Sequence, residues 1–230
     1  PRRTRMSLLC PEARLSALAR LLEYPGPDAA ELCRQAATPA ADRFQAAMQA
    51  LSQDQREELY TATFDVAPVC VPYVSIYLFG QENFQRGKFM AGLQARYAQA
   101  GFNSGGELPD HLAVILRFAA QTDDRERREL VEFCLLGPVG NMVEALNESN
   151  PYRSLLEAVR RTLLDTYPEV RPAVSPLEQM RQHGVACDAR NAGCGCEAFR
   201  AQDDPQDAPG RNPVFHAAPG RPIGTDTALF

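Results

Sequence analysis

The sequence predicts an all-α fold, a single helical bundle followed by an irregular tail. Three observations carry that expectation. Between residues 11 and 167 apolar residues recur at the i, i+3, i+4, i+7 spacing of amphipathic helices; Gly, Pro and capping residues punctuate the stretches; and no strand-type alternation competes with them. The 230 residues, 45% hydrophobic and 23% charged, have ordinary globular composition and suffice for one sizeable core.

Each helix has its own signal. Leu15, Leu18, Ala19 and Leu22 make a first stripe that stops at Tyr24-Pro25-Gly26, and Asp28 is placed to cap a short second helix with Leu32 and Cys33. Phe44, Ala47, Met48 and Leu51 make a third. Ser52-x-x-Gln55 reads as a capping box for a fourth helix through Leu59 and Thr63. Pro68 and Pro72 bracket a break, after which 73–79 reads as a short helix or turn ending at Gly80. A longer helix is expected over 82–100, with Met90, Leu93 and Tyr97 inward and Gly101 as its stop.

Leu112, Ile115, Leu116 and Ala119 form the next inward stripe, opened by Pro109. Asp123 or Asp124 starts a further helix with Leu130, Phe133 and Cys134 inside, broken at Gly137-Pro138. Val139, Met142, Val143 and Leu146 then continue the pattern. Asn150-Pro151 pairs an N-cap with a first-position proline, ahead of Tyr152, Leu155, Leu156, Val159 and Leu163. The core is expected to end near Pro168. Eight of the 18 prolines fall in 168–230, where apolar residues are too sparse to bury a core and 174–183 offers one short helix. The expected organisation is a flexible 1–10, a helical domain over 11–167 and a mostly irregular tail over 168–230.

Charge and cysteine usage exclude several classes. A net charge of -5 and a pI near 5.3 argue against a phosphate-tracking nucleic-acid surface, which rests on clustered positive charge. No run approaches the roughly 20 apolar residues of a membrane span. Seven cysteines are an odd number, and Cys10, Cys33, Cys70 and Cys134 are scattered through apolar patterns, which fits a reducing cytoplasm better than a disulfide scaffold. Arg2-Arg3 invites an export-signal reading, but 7–10 runs straight into Pro11-Glu12 rather than into a long apolar segment.

The candidate site is Gly105-Gly106-Glu107-Leu108-Pro109-Asp110-His111-Leu112, which sets two acids, a histidine and a proline at a helix start. Three roles are open to it: a helix-start stabiliser, an acid/base pair, or a polar anchor for a bound chain. The catalytic role lacks a nucleophile, a phosphate-cradling glycine loop and a second histidine nearby. Most of the aromatics Tyr60, Phe64, Tyr77 and Tyr97 have core spacing, with room for one or more to line a groove.

Together with Tyr60-x3-Phe64-Asp65, Tyr77-x2-Gly80 and Arg86-Gly87-x2-Met90-x2-Leu93-x3-Tyr97-x3-Gly101, the motif resembles the NarJ/TorD/DmsD family of molybdoenzyme assembly chaperones. Glu-Leu-Pro-Asp-His-Leu is closest to the nitrate-reductase (NarJ-like) branch. The resemblance covers about residues 12–167 and implies a TorD-like helical fold without enzymatic activity. It implies a cytoplasmic chaperone for the catalytic subunit of a molybdenum-cofactor oxidoreductase, binding that subunit's N-terminal leader. The chaperone itself holds no cofactor, the client receiving molybdopterin guanine dinucleotide and an iron-sulfur cluster. The implied peptide-binding set is Tyr60, Phe64, Asp65, Tyr77, Arg86, Tyr97, Glu107, Leu108, Pro109, Asp110 and His111. Of these, Asp65, Glu107 and Asp110 are the preferred arginine partners, since a carboxylate matches the guanidinium fork. Monomer and dimer are both open.

One alternative rests outside the resemblance. His183, Cys187, Cys194 and Cys196 form H-x3-C-x6-C-x-C, which can hold a thiophilic metal in an accessory or redox module, or be incidental thiols in a tail.

Overall fold

The computed structural model describes residues 10–182, so His183, Cys187, Cys194 and Cys196 lie outside the described residues. Every regular element among them is helical, and the only extended pairing is an isolated antiparallel bridge between Tyr73 and His111. In chain order the helices are α1 (Pro11–Leu21), α2 (Ala29–Ala36), α3 (Pro39–Gln49), α4 (Gln53–Phe64), α5 (Val74–Phe79), α6 (Gln85–Gln99), α7 (Leu112–Gln121) and α8 (Asp124–Leu130). A π-helical turn (Val131–Leu135), α9 (Leu136–Ala145), α10 (Pro151–Thr166) and α11 (Pro176–Gln182) follow.

Local chemistry explains most of the starts. Ser52 and Gln55 make the reciprocal capping box at α4; Asp123 accepts from the Glu126 amide, and Asn150 from the Tyr152 amide with Pro151 behind it. Thr38 accepts from the Ala41 amide at 3.1 Å ahead of Pro39. Asp28 is the N-cap residue of α2 but makes no capping bond, because its carboxylate accepts from Arg20. Gly101, at φ +63°, takes the left-handed position that ends α6.

The stripes assemble one core. Leu15, Leu18 and Ala19 of α1, with Leu22 just after it, are buried, and α1 packs against α7, α2 and α10; Tyr152, Leu155, Leu156, Val159 and Leu163 of α10 are buried, and α10 packs against α1, α3 and α9. Helix α7 is buried almost all round, Ala113, Val114 and Phe118 included, so it is the central helix rather than a one-faced one.

Four sequence expectations need correction. Helix α6 starts at Gln85, and Phe89 rather than Met90 joins Leu93 and Tyr97 inside. Gly137-Pro138 does not break the chain into two helices. A π turn, in which the Leu136 amide bonds the Val131 carbonyl, widens the ladder just ahead of Pro138, and helical structure runs on without a gap. The core runs past Pro168, since Val170 is buried and the Ala173 amide donates to the Glu132 carbonyl in that π turn at 3.0 Å. Lastly, Pro109 does not open α7; that helix starts three residues later.

Candidate functional site

The loop between α6 and α7 is built by long-range bonds. The Val74 amide donates to the Asp110 carbonyl at 2.9 Å and the Leu112 amide to the Pro72 carbonyl at 2.8 Å, so 110–112 is held extended against the segment before α5. This pairing keeps Pro109 and Asp110 out of the helix. His111 becomes the N-cap instead, its Nδ1 accepting from the Ala113 amide at 3.2 Å while its ring meets the Tyr73 ring edge-on. On the other side the Tyr97 hydroxyl donates to the Pro109 carbonyl at 2.8 Å. Arg117 of α7 holds the glycine-rich half, donating to the Ser104 carbonyl at 2.7 Å and lying 3.5 Å from the Glu23 carboxylate. Gly105 and Gly106, at φ +78° and +87°, supply the backbone turns that this clamp needs.

The motif therefore divides. Asp110 is fully buried: one carboxylate oxygen accepts from the Ser75 hydroxyl at 2.5 Å, Ser75 in turn accepts from the Arg86 Nε at 2.9 Å, and the other oxygen, Oδ1, has no hydrogen-bond partner among the described residues. Arg86 also donates to the Gln81 carbonyl. Asp110 is thus no rim acid for an incoming arginine in this conformation; through Ser75 it ties the α6–α7 loop to α5 and α6. Pro109, His111, Phe64 and Tyr97 are also buried, and Tyr77 is half-buried with its hydroxyl on the Val71 carbonyl. These residues shape the site without facing solvent. Burial presses the His111 imidazole below its ordinary range, outweighing the nearby Glu107 and Asp110 carboxylates, so the ring stays neutral and its Nδ1 is free to accept.

Exposed members of the predicted set are Asp65, Glu107 and Leu108, and Tyr60 is half-exposed. Burial, then the Glu107, Asp65 and Glu23 carboxylates and the Tyr73 phenol, pushes the Tyr60 phenol up to about 12. Three carboxylates from three separate segments therefore act electrostatically on one phenol. Tyr73 is raised by burial and by Glu107, Asp110 and Asp65. Apolar groups stand exposed in the same segments: Tyr24, whose ring is 5.4 Å from that of Tyr60, Val66 and Val69 after α4, and Leu108. Glu23, Tyr24, Tyr73, Val66 and Val69 were not singled out from sequence. Tyr24 and Val66 look like ordinary turn residues, and only their exposure beside the acids distinguishes them.

Among the described residues no group of three or more His, Cys, Asp or Glu is placed to hold a metal ion, and no helix is long and apolar enough to cross a membrane. What these segments offer is exposed apolar surface with exposed Asp65 and Glu107, a combination suited to binding a chain that carries arginines and apolar side chains.

Comparison with known proteins identifies the class. The model of the nitrate reductase delta subunit family matches residues 28–161, more than half of the chain. The chain belongs to that family, the NarJ/TorD type of molybdoenzyme maturation chaperone. Among solved structures, the crystal structure of a "Putative Redox Enzyme Maturation Protein" from Archaeoglobus fulgidus superposes with a TM-score of 0.51 at 19% identity, covering 66% of this chain and 93% of that one. That likeness shows a shared helical fold. No curated protein matches the sequence.

Proposed function

We propose that this protein is a dedicated cytoplasmic chaperone for the catalytic subunit of a molybdenum-cofactor oxidoreductase of the respiratory nitrate reductase type. It binds the N-terminal segment of that subunit on the face around Tyr60. There it keeps the apoprotein competent for insertion of molybdopterin guanine dinucleotide and the neighbouring iron-sulfur cluster, and delays membrane docking or export. The action is binding alone, with no covalent step and no cofactor of its own.

One observation carries the reading: the Asp65 and Glu107 carboxylates bear electrostatically on half-exposed Tyr60, whose ring packs edge-on against exposed Tyr24. Carboxylates pair with guanidinium groups while the aromatic and aliphatic surface takes apolar side chains. Exposed pairs of this kind contribute up to about 1 kcal/mol each, so the double variant Asp65→Asn/Glu107→Gln should weaken leader binding by about threefold to thirtyfold. The assay is a calorimetric titration of the full chain with the synthetic N-terminal segment of the molybdoenzyme subunit that co-purifies from native cells. Equal affinity for an unrelated leader of the same charge would sink the proposal.

A further inference from the structure

Next to this face, where the turn after α1 meets α2 and α3, lies a cavity of about 210 Å³. Its walls include Tyr24, Leu32, Cys33, Phe44, Met48 and Tyr152, with Glu23 among the lining residues. The two arginines that also line it are already engaged. Arg20 pairs with Glu23 and Asp28, and the Arg56 Nε donates to the Met48 carbonyl at 2.8 Å. With its cations satisfied, the cavity offers an apolar interior, not an anion site. An apolar cavity of about 150 Å³ holds a benzene-sized molecule, so this one has room for a single large side chain.

Continuity with the acidic face is direct. Tyr24 walls the cavity and packs edge-on against Tyr60, and Glu23 belongs both to the cavity lining and to the carboxylates that act on that phenol. We propose that the cavity is an anchor pocket for one large apolar side chain, aromatic or branched, of an arginine-bearing client segment whose arginines sit on Asp65 and Glu107. The inference rests on the proposed client-binding face and adds a direction to it. The arginine end of the segment lies toward the α4 and α7 side, and its apolar end enters between α1, α2 and α3. The pocket makes an apolar residue, not charge alone, the determinant of which leader is accepted.

The test uses the full chain and two synthetic peptides, one with adjacent arginines followed by a short Phe/Leu run, the other with alanines in that run. Burying one such side chain corresponds to about tenfold to a hundredfold tighter binding of the first peptide. Gln49→Trp, which plugs the cavity from an exposed position at the end of α3, and Ala29→Leu, which fills it from α2, should each abolish that gap without changing affinity for the alanine peptide. A gap that survives in both variants overturns the inference. Toluene is the peptide-free probe: shifts of amide resonances confined to the α1–α2 turn and α3, absent in Gln49→Trp, support the pocket even where neither peptide binds, an outcome that defeats the client-binding face alone. Absence of any toluene shift together with equal affinity for both peptides overturns the pocket.

Discussion

Replacing Ser75 with alanine should destabilise the protein far more than loss of one surface hydroxyl, because among the described residues Ser75 is the only hydrogen-bond donor to the Asp110 carboxylate. Asp110 is fully buried, Ser75 donates to it at 2.5 Å, its second oxygen has no partner among those residues, and the Arg86 Nε at 2.9 Å is satisfied by the same Ser75 oxygen. A hydrogen bond to a charged group contributes about 1.5–3 kcal/mol, and stranding the buried acceptor adds to the loss, so Ser75→Ala should cost about 2–4 kcal/mol. For a domain of this size each kcal/mol lowers Tm by about 2–4 °C, which places the expected drop at about 5–15 °C. Asp110→Asn keeps an acceptor for Ser75 and removes the charge, so it should cost less. The double variant should lose less than the sum of the singles, with a coupling of about 1–3 kcal/mol. Thermal and urea unfolding of the four proteins supplies the numbers. A Ser75→Ala melt within about 1 °C of the parent, or strict additivity in the cycle, would refute the argument that this relay holds the loop.

Two other outcomes follow from the same region and from the core. His111 is neutral in the fold because burial lowers its pKa, whereas in the unfolded chain it titrates near its ordinary value of about 6.5. Its contribution to stability is therefore complete above that pH and is lost as pH falls from there toward the depressed folded value, since the unfolded chain takes up the proton first. His111→Asn, which keeps a capping acceptor, should flatten the part of the stability profile just below pH 6.5, as read by urea unfolding across pH; an unchanged slope argues against His111 as its source. Burial pushes the Cys33 and Cys70 thiols up to about 11 and Cys134 to about 12, while Cys10 is exposed. With Cys187, Cys194 and Cys196 replaced by serine, a thiol reagent at pH 8 should titrate Cys10 rapidly and the other three only on unfolding.

The helices were legible because their signals are local. The capping box at Ser52, the Asn150-Pro151 start and the buried stripe of α10 each span a few consecutive turns and depend on no distant partner. The candidate site was legible only as a location. Glu107, Leu108 and Asp65 are exposed as a binding rim requires, but Asp110 has the same carboxylate and is fully buried. Nothing adjacent to it predicts that, because the Ser75 that buries it is 35 residues away and reaches it only when α5 packs beside the α6–α7 loop. The apparent break at Gly137-Pro138 has a similar origin: a proline inside a helix is tolerated once the turn before it widens.

Taken by itself, the sequence determined the all-helical class, the caps, the inward faces and the motif that resembles the NarJ-type chaperones, since each is written in periodicity or in spacing within one segment. Only the tertiary structure decided which motif residues face solvent. It made His111 a helix cap and Asp110 a buried tie. It also brought Glu23 and Tyr24 from the end of α1 beside Tyr60 of α4 and Glu107 of the α6–α7 loop. The physical reason is that burial and electrostatic neighbourhood are properties of packed helices, set by contacts between segments far apart in the chain, and no local period encodes them.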